Sequence, residues 1–108
     1  MGFCYPGTGK GGDLPPRREC ADAWRAPLLA QLTDVKLTVI LGRYAIAWHL
    51  PQEKGSLAEI IARWRDHAPE RFIAPHPSPR NQRWFKNHPW FEGEVIPALQ
   101  EQVRQALR

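Results

Sequence analysis

Apolar positions along the chain follow two periods, and the switches between them mark out the elements. Over residues 18–32, Ala21, Trp24, Leu28 and Leu32 keep helical spacing, with Pro27 inside the run, which predicts a helix bent or split at the proline. Residues 36–41 (Lys-Leu-Thr-Val-Ile-Leu) are β-branched and almost wholly apolar, the pattern of a strand covered on both faces. Gly42 ends that strand, and residues 43–50 predict a short helix with Tyr44 and Trp48 four apart. Ser56-Leu57-Ala58-Glu59 has the form of a capping box, in which the serine and the glutamate satisfy each other's backbone amides. It opens a helix with the stripe Leu57, Ile60, Ile61 and Trp64, stopped before Pro69. Residues 71–74 (Arg-Phe-Ile-Ala) predict a second short strand. Ser78 then reads as an N-cap with Pro79 at the first helical position, followed by a helix to about Lys86. A last helix carries Phe91, Val95, Leu99, Val103 and Leu107 every fourth residue, and Pro97 either kinks it or begins it.

Strands alternating with helices predict an α/β fold with a short parallel sheet between helical layers, a three-layer α/β/α arrangement within a single domain over residues 1–108. Only two clear strands are present, with a strand end at residues 1–3 as a candidate third. So small a parallel sheet leaves apolar faces and edges uncovered, so the chain reads as part of a larger domain. The glycines concentrate in residues 1–20, in Pro6-Gly7-Thr8-Gly9-Lys10-Gly11-Gly12, ahead of Leu14-Pro15-Pro16, which is loop chemistry. A nucleotide P-loop is excluded. The glycine opening Gly-x-x-x-x-Gly-Lys-Ser/Thr would fall at Cys4, and Gly11 follows the lysine. A loop whose amides and Lys10 touch a phosphate is compatible with the residues.

Composition changes this picture little and charge more. With 43% hydrophobic and 24% charged residues the chain is of ordinary globular composition. No apolar run approaches the roughly 20 residues that span a bilayer, and the first residues lack the layout of a secretory signal, so a cytoplasmic location is the expectation. The net charge of +4 favours polyanionic partners. Between Glu70 and Glu92 there is no acidic residue, while Arg71, Arg80, Arg83 and Lys86 fall there, interleaved with Trp84, Phe85 and Trp90. A basic, aromatic nucleic-acid surface and a solvated face over a hydrophobic edge both fit that run. The two cysteines, Cys4 and Cys20, are sixteen positions apart and cannot fill a four-ligand metal site alone. Two buried thiols are the plain reading.

Ligands of α/β sheets bind beyond the carboxyl ends of the strands. His76 follows the second strand directly, between Pro75 and Pro77, and Gly42 marks the end of the first. A histidine so placed can donate a hydrogen bond to an anion forming on a substrate; a loop histidine bonded to backbone is the other reading.

His76-Pro77-Ser78-Pro79, after a short strand and before a helix, resembles the second active-site motif of the uracil-DNA glycosylase superfamily. Three further stretches agree with it in order along nearly the whole chain. Residues 37–45 (Leu-Thr-Val-Ile-Leu-Gly-Arg-Tyr-Ala) are similar to the family's strand-Gly-x-x-Ala helix start. Arg80-Asn81 matches the Arg-Asn that follows the motif in several branches. Cys4, the Pro-rich loop and Cys20, at that spacing, resemble the iron–sulfur, family-4-like branch.

The resemblance implies a DNA-repair glycosylase that flips uracil, or a related deaminated base, out of DNA and hydrolyses its N-glycosidic bond. His76 would stabilise negative charge on the departing base in a dry pocket. Ser78, with nearby backbone amides, would hold a phosphate beside the flipped nucleotide. Arg80 stands where many members carry an apolar wedge, and a guanidinium there can stack in the vacated space. Asn81 and Lys10 would complete the DNA contacts. Cys4 and Cys20 would supply two of the four thiolates of a [4Fe–4S] cluster that staples the loops. The family's first motif, a Gly-rich loop that positions the attacking water, is not found in the 108 residues, nor is the cluster's other cysteine pair. The chain therefore corresponds to the C-terminal half of the family fold, with the N-terminal half as its expected partner and little excision expected without it. Without that half, a non-catalytic nucleic-acid-binding remnant using the 71–91 surface is the competing expectation.

Overall fold

A computed structural model describes residues 5–108, and its architecture is α/β, as the alternation of periods predicts. Cys4 and the candidate strand end at residues 1–3 lie outside the described residues. The described chain divides into two units, residues 5–35 and Lys36–Arg108.

In the first unit the glycine-rich run is a small hairpin. Strands β1 (Thr8–Gly9) and β2 (Gly12–Asp13) pair antiparallel, Thr8 opposite Asp13 and Gly9 opposite Gly12, with Lys10 and Gly11 at the tip. Gly7 and Gly12 have φ of 106° and 120°, a region that side chains disfavour, so the glycines shape this turn. The Leu14 N–H donates to the Gly7 carbonyl at 2.8 Å, and the Tyr5 hydroxyl meets Thr8 Oγ1 and donates to Asp13 Oδ1. A continuous helical run follows: α1 (Arg18–Cys20), a wider π-helical turn (Ala21–Arg25), then α2 (Ala26–Ala30). Pro27 sits in the first turn of α2. A proline ring collides with the carbonyl four residues back, and widening the preceding turn relieves that collision without ending the helix. Of the predicted apolar stripe Ala21 is buried, whereas Trp24, Leu28 and Leu32 are exposed.

The second unit is built on two parallel strands, β3 (Thr38–Leu41) and β4 (Arg71–Ala74), in the register Thr38–Arg71, Val39–Phe72, Ile40–Ile73 and Leu41–Ala74. The crossover between them is α3 (Gly42–His49), α4 (Leu57–Ala62) and a 3₁₀ turn (Trp64–Asp66). Ser56 caps α4: its Oγ accepts the Glu59 N–H at 3.2 Å and donates to Glu59 Oε1, half of the predicted box, with the glutamate reaching the hydroxyl. Ile40 and Ile73, paired in register and therefore on one face, are fully buried, as are Leu50 and Ile61. Trp64 stacks on Phe72 with ring centroids 5.7 Å apart.

Beyond β4 come a 3₁₀ turn (Pro79–Asn81), α5 (Gln82–Asn87), a second π-helical turn (Phe91–Val95) and α6 (Ile96–Ala106). Pro97 repeats the solution found at Pro27, a π turn followed by an α-helix with proline in its first turn. Along the last stripe Phe91 and Val95 are buried, Leu99 is half-buried, and Val103 and Leu107 emerge into solvent.

The expectation that β3 is covered on both faces is corrected. Val39 and Leu41 are 39% and 42% exposed. They point to the face opposite Ile40 because strand side chains alternate. On that side lies an open apolar groove of about 610 Å³, walled by Ala74, Pro75, Phe85, Phe91, Ile96 and Leu99. Among the described residues no helix is long and apolar enough to cross a membrane.

Candidate functional site

Both strands of the second unit end at the same edge, and the sequence puts a turn-former at each end. Leu41 still has extended backbone, and Gly42 reverses into α3 with φ of 84°, a conformation open to glycine. That turn runs beside His76: a Cβ on Gly42 would lie 3.4 Å from the His76 Cβ and 3.9 Å from its Cα and Cδ2. His76 itself leaves β4 through Pro75, which is fully buried and anchors the loop to the core. The imidazole is thus held at the carboxyl edge of the sheet with one flank against the turn of the neighbouring strand.

The residues after it close a tight knot of hydrogen bonds on the His76 carbonyl. The Ser78 N–H donates to it at 2.8 Å, and the Asn81 side-chain amide donates to it as well. The Asn81 N–H donates to the Ser78 carbonyl at 2.9 Å, and the Arg80 N–H to Ser78 Oγ at 3.3 Å. Ser78 is therefore the N-cap that the sequence predicts, with Pro79 at the first helical position. The resemblance led us to expect backbone amides here free for a phosphate. Instead the amides of Ser78, Arg80 and Asn81 are each taken within the loop, and Pro77 and Pro79 have none. Beside the side chains of His76 and Arg80, the loop offers an anion the Ser78 hydroxyl, which accepts as a cap and still has its own hydrogen to give.

His76 is exposed rather than enclosed, Ser78 and Asn81 are half-buried, and Arg80 is exposed. The structure brings His76, Ser78, Arg80 and Asn81 into one loop and adds Gly42 from β3. Asn81, expected to face DNA, has its amide turned onto the His76 carbonyl and holds the loop shape. The sequence marks Gly42 as a strand end and as the glycine of a strand-Gly-x-x-Ala helix start; its contact with His76 needs the parallel register of the strands to become visible. Lys10 stands exposed at the hairpin tip of the first unit.

Cys20 is half-buried at the end of α1, and Cys4 lies outside the described residues. Among the described residues no three His, Cys, Asp or Glu side chains converge on one point. Cys20 by itself is one sulfur ligand and does not make up a cluster site.

Behind the site, the aromatic residues of the 84–91 stretch pack on each other. Trp84 stacks on His88 at 4.4 Å, and His88 Nδ1 lies 2.7 Å from the Trp84 carbonyl. Phe85 and Phe91 both sit against Trp84 at 5.6 Å. These rings are half-buried or buried, as packing rather than base-stacking residues would be.

A strand running into a proline-flanked histidine, a serine cap after it and a glycine turn from the adjacent parallel strand form one connected edge, and the family comparison covers all of it. The model of the uracil DNA glycosylase superfamily matches residues 3–100, and the chain belongs to that superfamily.

Proposed function

We propose that this chain supplies the leaving-group side of N-glycosidic bond hydrolysis on DNA. Uracil, or a related deaminated base, departs as an anion beside His76, whose ring N–H donates to the oxygen that gains negative charge. The observation that carries the reading is the coupling of His76 to both strand ends, through its own loop and through Gly42. That coupling fixes the backbone from which the imidazole projects, at the edge where a ligand of an α/β sheet lies. Its exposure suits a site that a flipped base would itself cover and dry. On this reading the Ser78 Oγ–H takes the phosphate next to that base, and the Arg80 guanidinium takes the vacated helical space. The water-positioning loop comes, on this reading, from outside these 108 residues. The [4Fe–4S] cluster with Cys4 and Cys20 as two ligands belongs to the same proposal as a staple without a part in bond cleavage. Iron and labile sulfide that co-purify with the protein and fall in Cys20→Ser are its test.

The second reading, a nucleic-acid-binding protein without catalysis, is favoured by the exposed basic residues after His76. One competition experiment separates the two. A labelled duplex carrying one uracil and its thymine-bearing twin are offered to the chain and to His76→Ala. We expect tighter binding of the uracil duplex, with the preference abolished in His76→Ala and general affinity retained. Equal binding of both duplexes by the unaltered chain overturns the glycosylase reading and leaves plain DNA binding. Where excision itself is measured, His76→Ala should slow it by roughly a hundred- to a thousandfold, the usual cost of one lost donor to a developing anion.

A further inference from the structure

We propose that Arg83 and Lys86, on the outer face of α5, form with Arg80 a cationic ridge that tracks the phosphates of one DNA strand leading away from the site. The inference rests on DNA being the ligand, as proposed above, and assigns the backbone contacts to a specific face.

Three observations carry it. Arg80, Arg83 and Lys86 are all exposed, at intervals of three residues through the 3₁₀ turn and α5, so they follow one side of the segment. The opposite side, Trp84, Phe85 and His88, is packed into the aromatic cluster, which fixes the rotation of α5 and keeps the cations outward. No acidic residue lies between Glu70 and Glu92, and among the described residues neither Arg83 nor Lys86 is ion-paired with a carboxylate.

The dimensions match. The six steps from Arg80 to Lys86, at a rise of about 1.5–2 Å, span about 10 Å. One strand of a duplex carries a phosphate every 3.4 Å or so along its axis, and further apart along its winding path, so the ridge faces roughly two successive phosphates and the start of a third. Long, flexible side chains can follow that spacing without base contacts, so the ridge adds affinity and register but no sequence preference.

Each cation that neutralises a phosphate releases condensed counterions, contributing about 0.9 to the slope of log K against log salt. The test is a titration of the full chain with a fluorescent duplex lacking uracil, over a range of salt. The variants are Arg83→Gln/Lys86→Gln and, as a control for net charge, Lys36→Gln/Lys54→Gln, both exposed positions in the segments before β3 and before α4. Thermal melts check that each variant folds. The ridge variant should lose about 1.8 from the slope and bind more weakly by the same factor on every sequence, while the control keeps its slope. Equal losses in the two variants, an unchanged slope in the ridge variant, or no binding of duplex DNA by the unaltered chain overturns the proposal. Because the duplex has no uracil, the result is independent of base release, so the ridge and the glycosylase reading can fail separately.

Discussion

At the scale of single residues, the site depends on two small groups that do no chemistry. Gly42 permits the turn at the end of β3, and Asn81 ties the carbonyl of His76 to the helix that follows. The Cβ that alanine would add at position 42 makes only an ordinary 3.4 Å contact with His76, so steric conflict is small. The backbone is the larger obstacle, since a φ of 84° in a residue with a side chain costs about 1–2 kcal/mol. Gly42→Ala should therefore lower stability in urea by that amount. If it relaxes by rotating the turn, it should also shift the His76 ring resonances in an NMR spectrum. A variant as stable as the parent, with His76 undisturbed, would mean that the turn does not depend on glycine. Ser78 illustrates a different point. Its hydroxyl serves as acceptor for the cap and keeps a hydrogen for a ligand, so one side chain can do structural and binding duty together.

At the scale of elements, the connection from α3 to β4 is held by a single carboxylate. Glu53 accepts from Arg63 at the end of α4 (2.9 Å) and meets His67 Nε2 after the 3₁₀ turn at 2.8 Å, with only about a tenth of its side chain exposed. Those two hydrogen bonds, from His67 first and then Arg63, hold its carboxyl below the usual glutamate range. A depressed carboxyl pKa stabilises the fold above the unfolded value, about 4.3, and that contribution is lost as pH falls through the folded value. The melting temperature should therefore drop on acidification below about pH 4.3. Glu53→Gln should be less stable at neutral pH, by about 1.5–3 kcal/mol for a lost charged hydrogen-bond set, and flatter in acid, the two curves converging at low pH. Parallel curves would remove Glu53 from the account. This trio was not legible in the sequence, because its members lie ten and fourteen residues apart on a crossover whose path periodicity does not give. Much else was legible. Residues 71–74 form the predicted strand, Ser56 and Ser78 cap as their neighbours imply, and Gly42 ends β3. In each case a local rule of spacing or capping fixes the outcome. The π turns before Pro27 and Pro97 were visible only as proline conflicts, since a sequence shows the collision and not which of bending, breaking or widening relieves it.

At the scale of the molecule, two surfaces answer to opposite forces. The site edge continues into a basic face, whereas β3 presents Val39 and Leu41 beside an apolar groove and has no charged or proline residue within it to discourage pairing. The sequence pattern of β3 is that of a buried strand, and only the register shows that half of it is bare. A net charge of +4 keeps copies apart at low salt, but screening removes that repulsion over a Debye length of about 10 Å at 0.1 M salt. Burial of apolar surface is not screened, and kosmotropic salts strengthen it. Self-association, followed by sedimentation velocity, should therefore rise with salt, while DNA binding falls with it. Val39→Gln puts a polar, uncharged side chain on the bare face without touching the buried Ile40–Ile73 pair, and it should suppress the salt-driven species while leaving the DNA salt slope near its parent value. A species that dissolves as salt increases would instead be held by charge. In that event the basic face, rather than β3, would be the surface through which copies meet.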